Sequence, residues 1–104
     1  MIAEDARRLA LALPETVEQD HHGRSSFRVA GKIFATIWDE RTVNVMVDEP
    51  GIRSAIAEYP DWCSQRYWGK RLAAVAVDLP RAPERELREL LIDAWEGKAG
   101  RPVA

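Results

Sequence analysis

The chain has 104 residues and a mass of 11.8 kDa, which favours one domain because the most common domains have about 100–150 residues. Its 46% apolar and 31% charged residues are typical of a globular protein and argue against a disordered, collagen-like or coiled-coil chain. A single cysteine excludes an internal disulfide, and no apolar run approaches the roughly 20 residues that span a bilayer. The first residues also lack the basic segment of a signal peptide. We therefore expect a cytoplasmic protein without a membrane segment.

The first half of the chain contains one helical pattern and then a strand pattern. Apolar residues three or four apart predict a helix over residues 2–13, which Pro14 ends. The polar stretch that follows, up to Gly23, has no clear period and is interpreted as a connecting loop. From residue 25 to residue 48 the chain alternates apolar and polar side chains in three runs, with a turn at Gly31-Lys32. This pattern is typical of a three-stranded antiparallel meander.

The second half repeats the same kinds of element. Pro50 suits the first residue of a second helix, because its missing N–H has no partner there, and Pro60 ends that helix. From Trp62 the two-residue period resumes, Gly69-Lys70 forms a second hairpin turn, and residues 72–79 return as a strand. Apolar residues spaced three or four apart then predict a last helix that ends at Gly97.

The predicted order of elements is α-β-β-β-α-β-β-α. The turns are too short for parallel crossovers, so the strands must pair antiparallel. The expected fold class is α+β, with two layers in which helices cover an antiparallel sheet of about five strands. We assign residues 1–97 to one domain and residues 98–104 to a flexible C-terminal tail, and we expect a monomer.

The net charge of −2 conceals two basic segments. Residues 23–38 contain three bases and no acid, and residues 62–81 contain four bases against one acid. Each segment includes a predicted hairpin turn, so side-by-side hairpins would form a cationic surface suited to phosphate groups. The alternative is that charged turns simply keep the sheet edges soluble. The candidate nucleic-acid contacts are Arg24, Arg28, Lys32, Arg66, Lys70 and Arg71.

Four tryptophans are many for a chain of this length. Trp95 lies on the apolar stripe of the last helix and is expected in the core. Trp68 precedes the second basic turn, where its ring either braces the hairpin or stacks against a nucleic-acid base. A different function, binding of a protein or a small ligand by the sheet face, would use Trp38, Trp62 and Trp68 as aromatic anchors.

Residues that could support catalysis or bind a metal are few. The only imidazoles are His21 and His22, and adjacent side chains in an extended segment point in opposite directions. At most one of them could therefore act as a base for Cys63 or Ser25. Zinc requires three or four ligands, usually close in sequence, and Asp20, His21, His22 and the distant Cys63 match that pattern only weakly. The chain also has no glycine-rich loop of the kind that binds nucleotide phosphates. We predict a non-enzymatic protein with no metal site and no cofactor.

Several stretches of the sequence are distinctive as a set: LPETVE, HGRSSFRVAGKIFATIWDE, a valine-rich strand, GKR followed by AVAVDL, and ERELRELLIDAWE. Together they resemble the MmcQ/YjbR-like family over nearly the whole chain. The resemblance implies a small bacterial cytoplasmic α+β domain with a double-wing motif, in which two basic hairpins bind double-stranded DNA. The matching wing positions are Arg28 and Lys32 in the first hairpin and Lys70 and Arg71 in the second. The chain departs from the family at Ala74, where many relatives have a tryptophan.

Overall fold

The structure is a computed structural model that describes residues 1–103, with three helices and six strands in that part of the chain. In chain order the elements are α1 (Ala3–Leu11), β1 (Val17–His21), β2 (Arg24–Val29), β3 (Lys32–Asp39), β4 (Thr42–Val45), α2 (Glu49–Glu58), β5 (Cys63–Trp68), β6 (Arg71–Asp78) and α3 (Glu84–Ala99). The strands form one antiparallel sheet in the order β1-β2-β3-β4-β6-β5, and the helices pack on one face of it. This arrangement confirms the two-layer α+β fold.

A single hydrophobic core lies between the sheet and the helices. Val45, Val75 and Val77 of the central strands face the helices and are fully buried. Trp95 of α3 is also fully buried, as predicted, and its indole Nε1 donates a hydrogen bond to the Pro14 carbonyl at 2.9 Å. Because the helices lie on the core side of the sheet, no helix within residues 1–103 covers its other face. None of the helices within residues 1–103 has the length and apolar composition needed to cross a membrane.

The stretch predicted as a loop before Gly23 contains β1, so the sheet has six strands rather than about five. This strand is at the edge and pairs only with β2. Most of its residues are exposed, and only Val17 is apolar. Neither face of β1 is therefore marked by regular apolar residues, and a two-residue period cannot be detected.

The first hairpin turn and the last helix also differ from their predicted bounds. The turn is Ala30-Gly31, with φ of 52° and 74°, so Lys32 begins β3 instead of occupying the turn. Positive φ at both central residues matches the twist of the flanking strands. Helix α3 continues through Gly97 and is closed by Gly100, whose φ of 73° gives the left-handed cap. The first two residues of the predicted tail are thus helical, and Ala104 lies outside the described residues.

Candidate nucleic-acid interface

The two basic hairpin turns lie at the same edge of the sheet. Four antiparallel pairings separate β2 from β5 in the sheet order, so these two strands run in the same direction. Their turns, Ala30-Gly31 and Gly69-Lys70, are therefore neighbours at one edge, which we call the upper edge, with the end of β4 between them. Strands are spaced about 4.8 Å apart, so the axes of the two hairpins are about 14 Å apart in the plane of the sheet.

Four of the six predicted cations lie on the face of the sheet opposite the helices, which we call the open face. Arg24 and Arg28 alternate along β2 with Phe27, whose side chain is in the core. Arg66 is paired with Ala74 and Arg71 with Trp68 on the same face. Lys70 occupies the second turn. Lys32 is paired with the core residue Val29. Its side chain therefore extends from the upper edge on the side of the sheet that the helices cover.

None of these six cations forms an ion pair within residues 1–103, although most other arginines do. The carboxylates on the open face, Asp39 and Asp78, lie at the ends of their strands remote from the two turns. Asp78 already pairs with Arg81, at 3.6 Å. The positive charge of the open face is therefore not neutralised by the protein itself. The arginines that form ion pairs are Arg7, Arg8, Arg53, Arg81, Arg85, Arg88 and Arg101.

Trp38 joins two of the open-face arginines into one cluster. The guanidinium carbons of Arg24 and Arg66 lie 4.0 and 4.4 Å from the centroid of its ring. Arg24 donates its Nε–H to the Trp38 carbonyl at 3.0 Å, and Arg66 donates its Nε–H to Asn44 Oδ1 at 3.1 Å. Asn44 in turn donates to the Thr36 hydroxyl at 3.3 Å. Both guanidinium groups are thus held through Nε, and their terminal nitrogens have no partner among the described residues.

A cleft with a volume of about 540 Å³ opens on this face. Trp38 and Trp68 form aromatic parts of its wall, and three cations, Arg24, Arg71 and Lys98, contribute positive charge. The described residues that line it include no carboxylate. Lys98 was not among the predicted contacts. It belongs to α3 and reaches the cleft only because this helix extends beyond Gly97, which the sequence pattern did not indicate.

The helix side carries a groove of similar size and opposite charge. It measures about 560 Å³, lies between α2 and α3, and is lined by five carboxylates and a single base. Partial burial raises the pKa of Asp93 in this groove, and repulsion from Glu96, Glu89 and Asp48 acts in the same direction. An anion therefore encounters a favourable potential on the open face and an unfavourable one on the helix side. The charged residues of the groove are Asp48, Glu58, Glu86, Glu89, Asp93 and Lys98.

Of the three tryptophans predicted for the sheet face, two lie on the open face and one does not. Trp68 is 40% exposed and lies beside the second turn, and Trp38 is half-buried on the open face near the end of β3. Trp62 is instead 8% exposed on the helix side, where its ring stacks on Tyr59 with centroids 4.6 Å apart. The prediction for Trp62 is wrong because this residue precedes β5 and turns toward α2, so the strand period does not extend to it.

The two histidines lie far from Cys63. His21 ends β1 and Cys63 begins β5, and these are the two outermost strands of the sheet. Burial raises the pKa of the Cys63 thiol to about 12. His22 has a φ of 55° in the turn after β1, which brings its ring to 4.4 Å from that of His21 instead of directing it away. Neither His21 nor His22 can therefore act as a base for Cys63 in this arrangement.

Comparison with known proteins gives one match to a family and one to a solved structure. The YjbR family model matches residues 11–97. A crystal structure of Deinococcus radiodurans protein DR2400, with a domain described as DUF419, superposes with a TM-score of 0.74 and 19% sequence identity. The alignment covers 97% of this chain and 89% of that chain, and at this identity it shows the fold alone. No curated protein matches the sequence. Because the family model matches most of its length, the chain belongs to the YjbR family.

Proposed function

We propose that this protein is a non-enzymatic DNA-binding module that holds the phosphate backbone of double-stranded DNA with its two basic hairpins. One observation carries the proposal: the two turns share the upper edge of the sheet, with Lys32, Lys70 and Arg71 beside them, and none of the six predicted cations has a carboxylate partner within residues 1–103. Cations that the protein leaves unneutralised bind phosphates by releasing the counterions of DNA.

The spacing of the hairpins suits a duplex. Their axes are about 14 Å apart in the plane of the sheet, and the major groove of B-DNA is about 12 Å wide. Lys32 and Lys70 at the upper edge can therefore contact phosphates on the two sides of one groove. Such contacts set the position of the protein but carry no base sequence, so the hairpin tips alone supply little sequence preference.

The acids nearest to the upper edge lie on the side of the helices. Asp48 and Glu49 follow the end of β4, between the two hairpins. Asp48 accepts a hydrogen bond from the Gly51 amide at 2.9 Å, and Glu49 pairs with Arg53 at 2.7 Å. Both carboxylates are thus engaged at the start of α2. We infer that the duplex lies across the upper edge, where Lys32 and Lys70 are, and contacts the arginines of the open face rather than the acidic groove between α2 and α3.

The test is a salt titration of the binding of a fluorescently labelled duplex, followed by anisotropy. Contacts to about 4–6 phosphates give a slope of log affinity against log salt of roughly −4 to −5. The variant Lys32→Glu/Lys70→Glu should bind weakly and with a slope smaller by about two. The matched control is Arg53→Glu/Arg85→Glu, which has the same net charge but alters the helix side. If the control loses as much affinity as the hairpin variant, or if the native chain does not bind, the proposal fails.

Binding of a partner protein or small ligand to the aromatic sheet face is the second candidate function. The cleft of about 540 Å³ favours the small ligand. The large hydrophobic side chains exposed on the described open face are Val17 and Trp68, which lie on the two outermost strands of the sheet. This is too little apolar surface for a protein interface, whose core is usually apolar and poor in charge. The face is instead cationic, which favours an anionic ligand.

A further inference from the structure

We infer that the cleft on the open face binds one nucleotide unit, with its phosphate against the cleft's cations and its base stacked on an indole. The inference rests on the proposed function, because it names the part of a nucleic acid that this face accepts. It also goes beyond backbone binding by the hairpin tips, since it assigns Trp38, Trp68 and the cleft between the hairpins to a separate contact.

The charge of the cleft favours an anion. Arg24 and Arg66 lie on the same ring, with guanidinium carbons 4.0 and 4.4 Å from its centroid, so two like charges are within about 10 Å of each other, the Debye length at 0.1 M salt. The cations that line the cleft itself are Arg24, Arg71 and Lys98, Arg66 lies behind them against Trp38, and the described lining contains no carboxylate. An anion that bridges these groups relieves their mutual repulsion. Phosphate matches the planar fork of a guanidinium group, which presents parallel N–H donors.

The walls of the cleft favour an aromatic group beside that anion. Trp68 is 40% exposed although it is a large apolar ring, and its position next to the second turn leaves a face accessible. The Trp38 ring already carries the guanidinium groups of Arg24 and Arg66, so the base stacks on Trp68 and Trp38 forms a wall of the same cleft. Nucleic-acid bases stack on such rings in proteins that bind single strands.

The volume of the cleft matches a ligand of the size of a single nucleotide. About 540 Å³ falls within the range of roughly 300–1,000 Å³ that is usual for small-ligand pockets. A base with its sugar and phosphate is a ligand of the size that such pockets hold. The same chemistry is available in a free mononucleotide and in a nucleotide that has left the stack of a DNA strand.

The experiment is a titration of ¹⁵N-labelled protein, observed through the indole N–H signals of its four tryptophans. The probes are dAMP, deoxyadenosine, inorganic phosphate and a single-stranded oligonucleotide. We expect dAMP to shift the signals of Trp38 and Trp68, and to bind more tightly than deoxyadenosine or phosphate. Trp62 and Trp95 are buried on the other side of the sheet and serve as internal controls. If the single strand binds more tightly than dAMP, the ligand is a nucleotide of a strand, and the reverse order identifies a free nucleotide.

Two exposed positions test the site without disturbing the core. Trp68→Ala should lower the affinity for dAMP by between about fivefold and 150-fold, the range for loss of one stacked base. Arg24→Gln should lower it as well, whereas Arg53→Gln on the helix side should not. Equal shifts of all four indole signals, or unchanged affinity in Trp68→Ala and Arg24→Gln, would overturn the inference.

This outcome can be separated from failure of the proposed function. The hairpin variant Lys32→Glu/Lys70→Glu should lose duplex binding and keep binding to dAMP, because neither lysine lines the cleft. A native chain that binds the duplex but shows no shift with dAMP refutes the nucleotide site alone. A native chain that binds dAMP but no duplex refutes the DNA-binding proposal and leaves the cleft as a nucleotide site.

Discussion

Arg66 of β5 stacks on Trp38 of β3 across two intervening strands, with its guanidinium carbon 4.4 Å from the ring centroid. At the usual strand spacing the two backbones are about 14 Å apart, so the contact depends on long side chains that lie over small ones. The small side chains are those of Ala74 and Ala76 of β6, which are almost fully buried beneath the long ones. The centre of the open face is therefore covered by a layer of arginine and tryptophan side chains.

Replacement of Arg66 by methionine tests the strength of this layer. The change removes the stacked cation and leaves the fully buried Asn44 without its guanidinium partner. We expect Arg66→Met to lower the free energy of unfolding by about 1–3 kcal/mol, measured by urea denaturation. Arg71→Met is the control, because Arg71 is exposed and has no ion pair within residues 1–103, and it should change stability by no more than about 0.5 kcal/mol. Equal effects of the two variants would show that Arg66 does not stabilise the sheet.

Ala74 lies beneath the Arg66 side chain and leaves room for it. The two residues are paired across β5 and β6. Ala74→Trp should destabilise the protein by about 1–3 kcal/mol, because the new ring and the Arg66 side chain compete for one place. Ala57→Trp on the exposed side of α2 is the control and should have little effect. Arg66→Ala combined with Ala74→Trp should lower the free energy of unfolding by less than the two changes added together, and additive losses would show that the two side chains do not compete.

The sequence predicted the fold well, because most strands have one buried face. Core residues such as Val43 and Val45 alternate with Asn44, and that alternation marks the strand and its inner face. β1 has no such alternation, so its sequence does not indicate a strand. The antiparallel order of the elements was enough to suggest two hairpins, but only the pairing of β4 with β6 brings their turns to a common edge.

The candidate site was less predictable because it depends on contacts between distant parts of the chain. The six cations could be chosen from local charge, but Lys98 enters the cleft through the packing of α3. The cluster around Trp38 joins β2, β3 and β5 through side chains that carry no recognisable spacing. Trp62 was assigned to the wrong side because a two-residue period does not show where a strand begins.

Trp95 provides a test of the core. Its ring is fully buried, and its indole N–H donates to the Pro14 carbonyl, which follows α1. Trp95→Phe should lower the free energy of unfolding by about 2–4 kcal/mol, because it leaves both a small cavity and a carbonyl without its donor. Trp68→Phe is the matched change at an exposed position and should be nearly neutral. Chemical denaturation of both variants checks this, and a smaller loss for Trp95→Phe than for Trp68→Phe would contradict the packing described.

The raised pKa of Cys63 predicts how the free energy of unfolding depends on pH in the alkaline range. Burial raises the pKa of its thiol from 9.0 to about 12, so between these values the native chain keeps a proton that the unfolded chain releases. The unfolded state then binds fewer protons, and the free energy of unfolding must fall as the pH rises from about 9 to 12. Below this window the contribution is constant.

Urea denaturation at several alkaline pH values checks this prediction with the variant Cys63→Ala. The variant should lose part of the alkaline slope. Some slope should remain, because the pKa of Tyr59 is also raised to about 12, mainly through its hydrogen bond with Glu58. An identical slope in the native chain and the variant would show that the thiol is ionised equally in the folded and unfolded states.

The central claim is that the open face and the upper edge, not the helix side, receive nucleic acid. The most direct measurement is the change in backbone amide signals when ¹⁵N-labelled protein is titrated with a duplex of about 12 base pairs, slightly more than one helical turn. The account predicts the largest changes in residues 24–33 and 66–73, with little change in the groove between α2 and α3. Changes concentrated in that acidic groove, or no change at low salt, would contradict it.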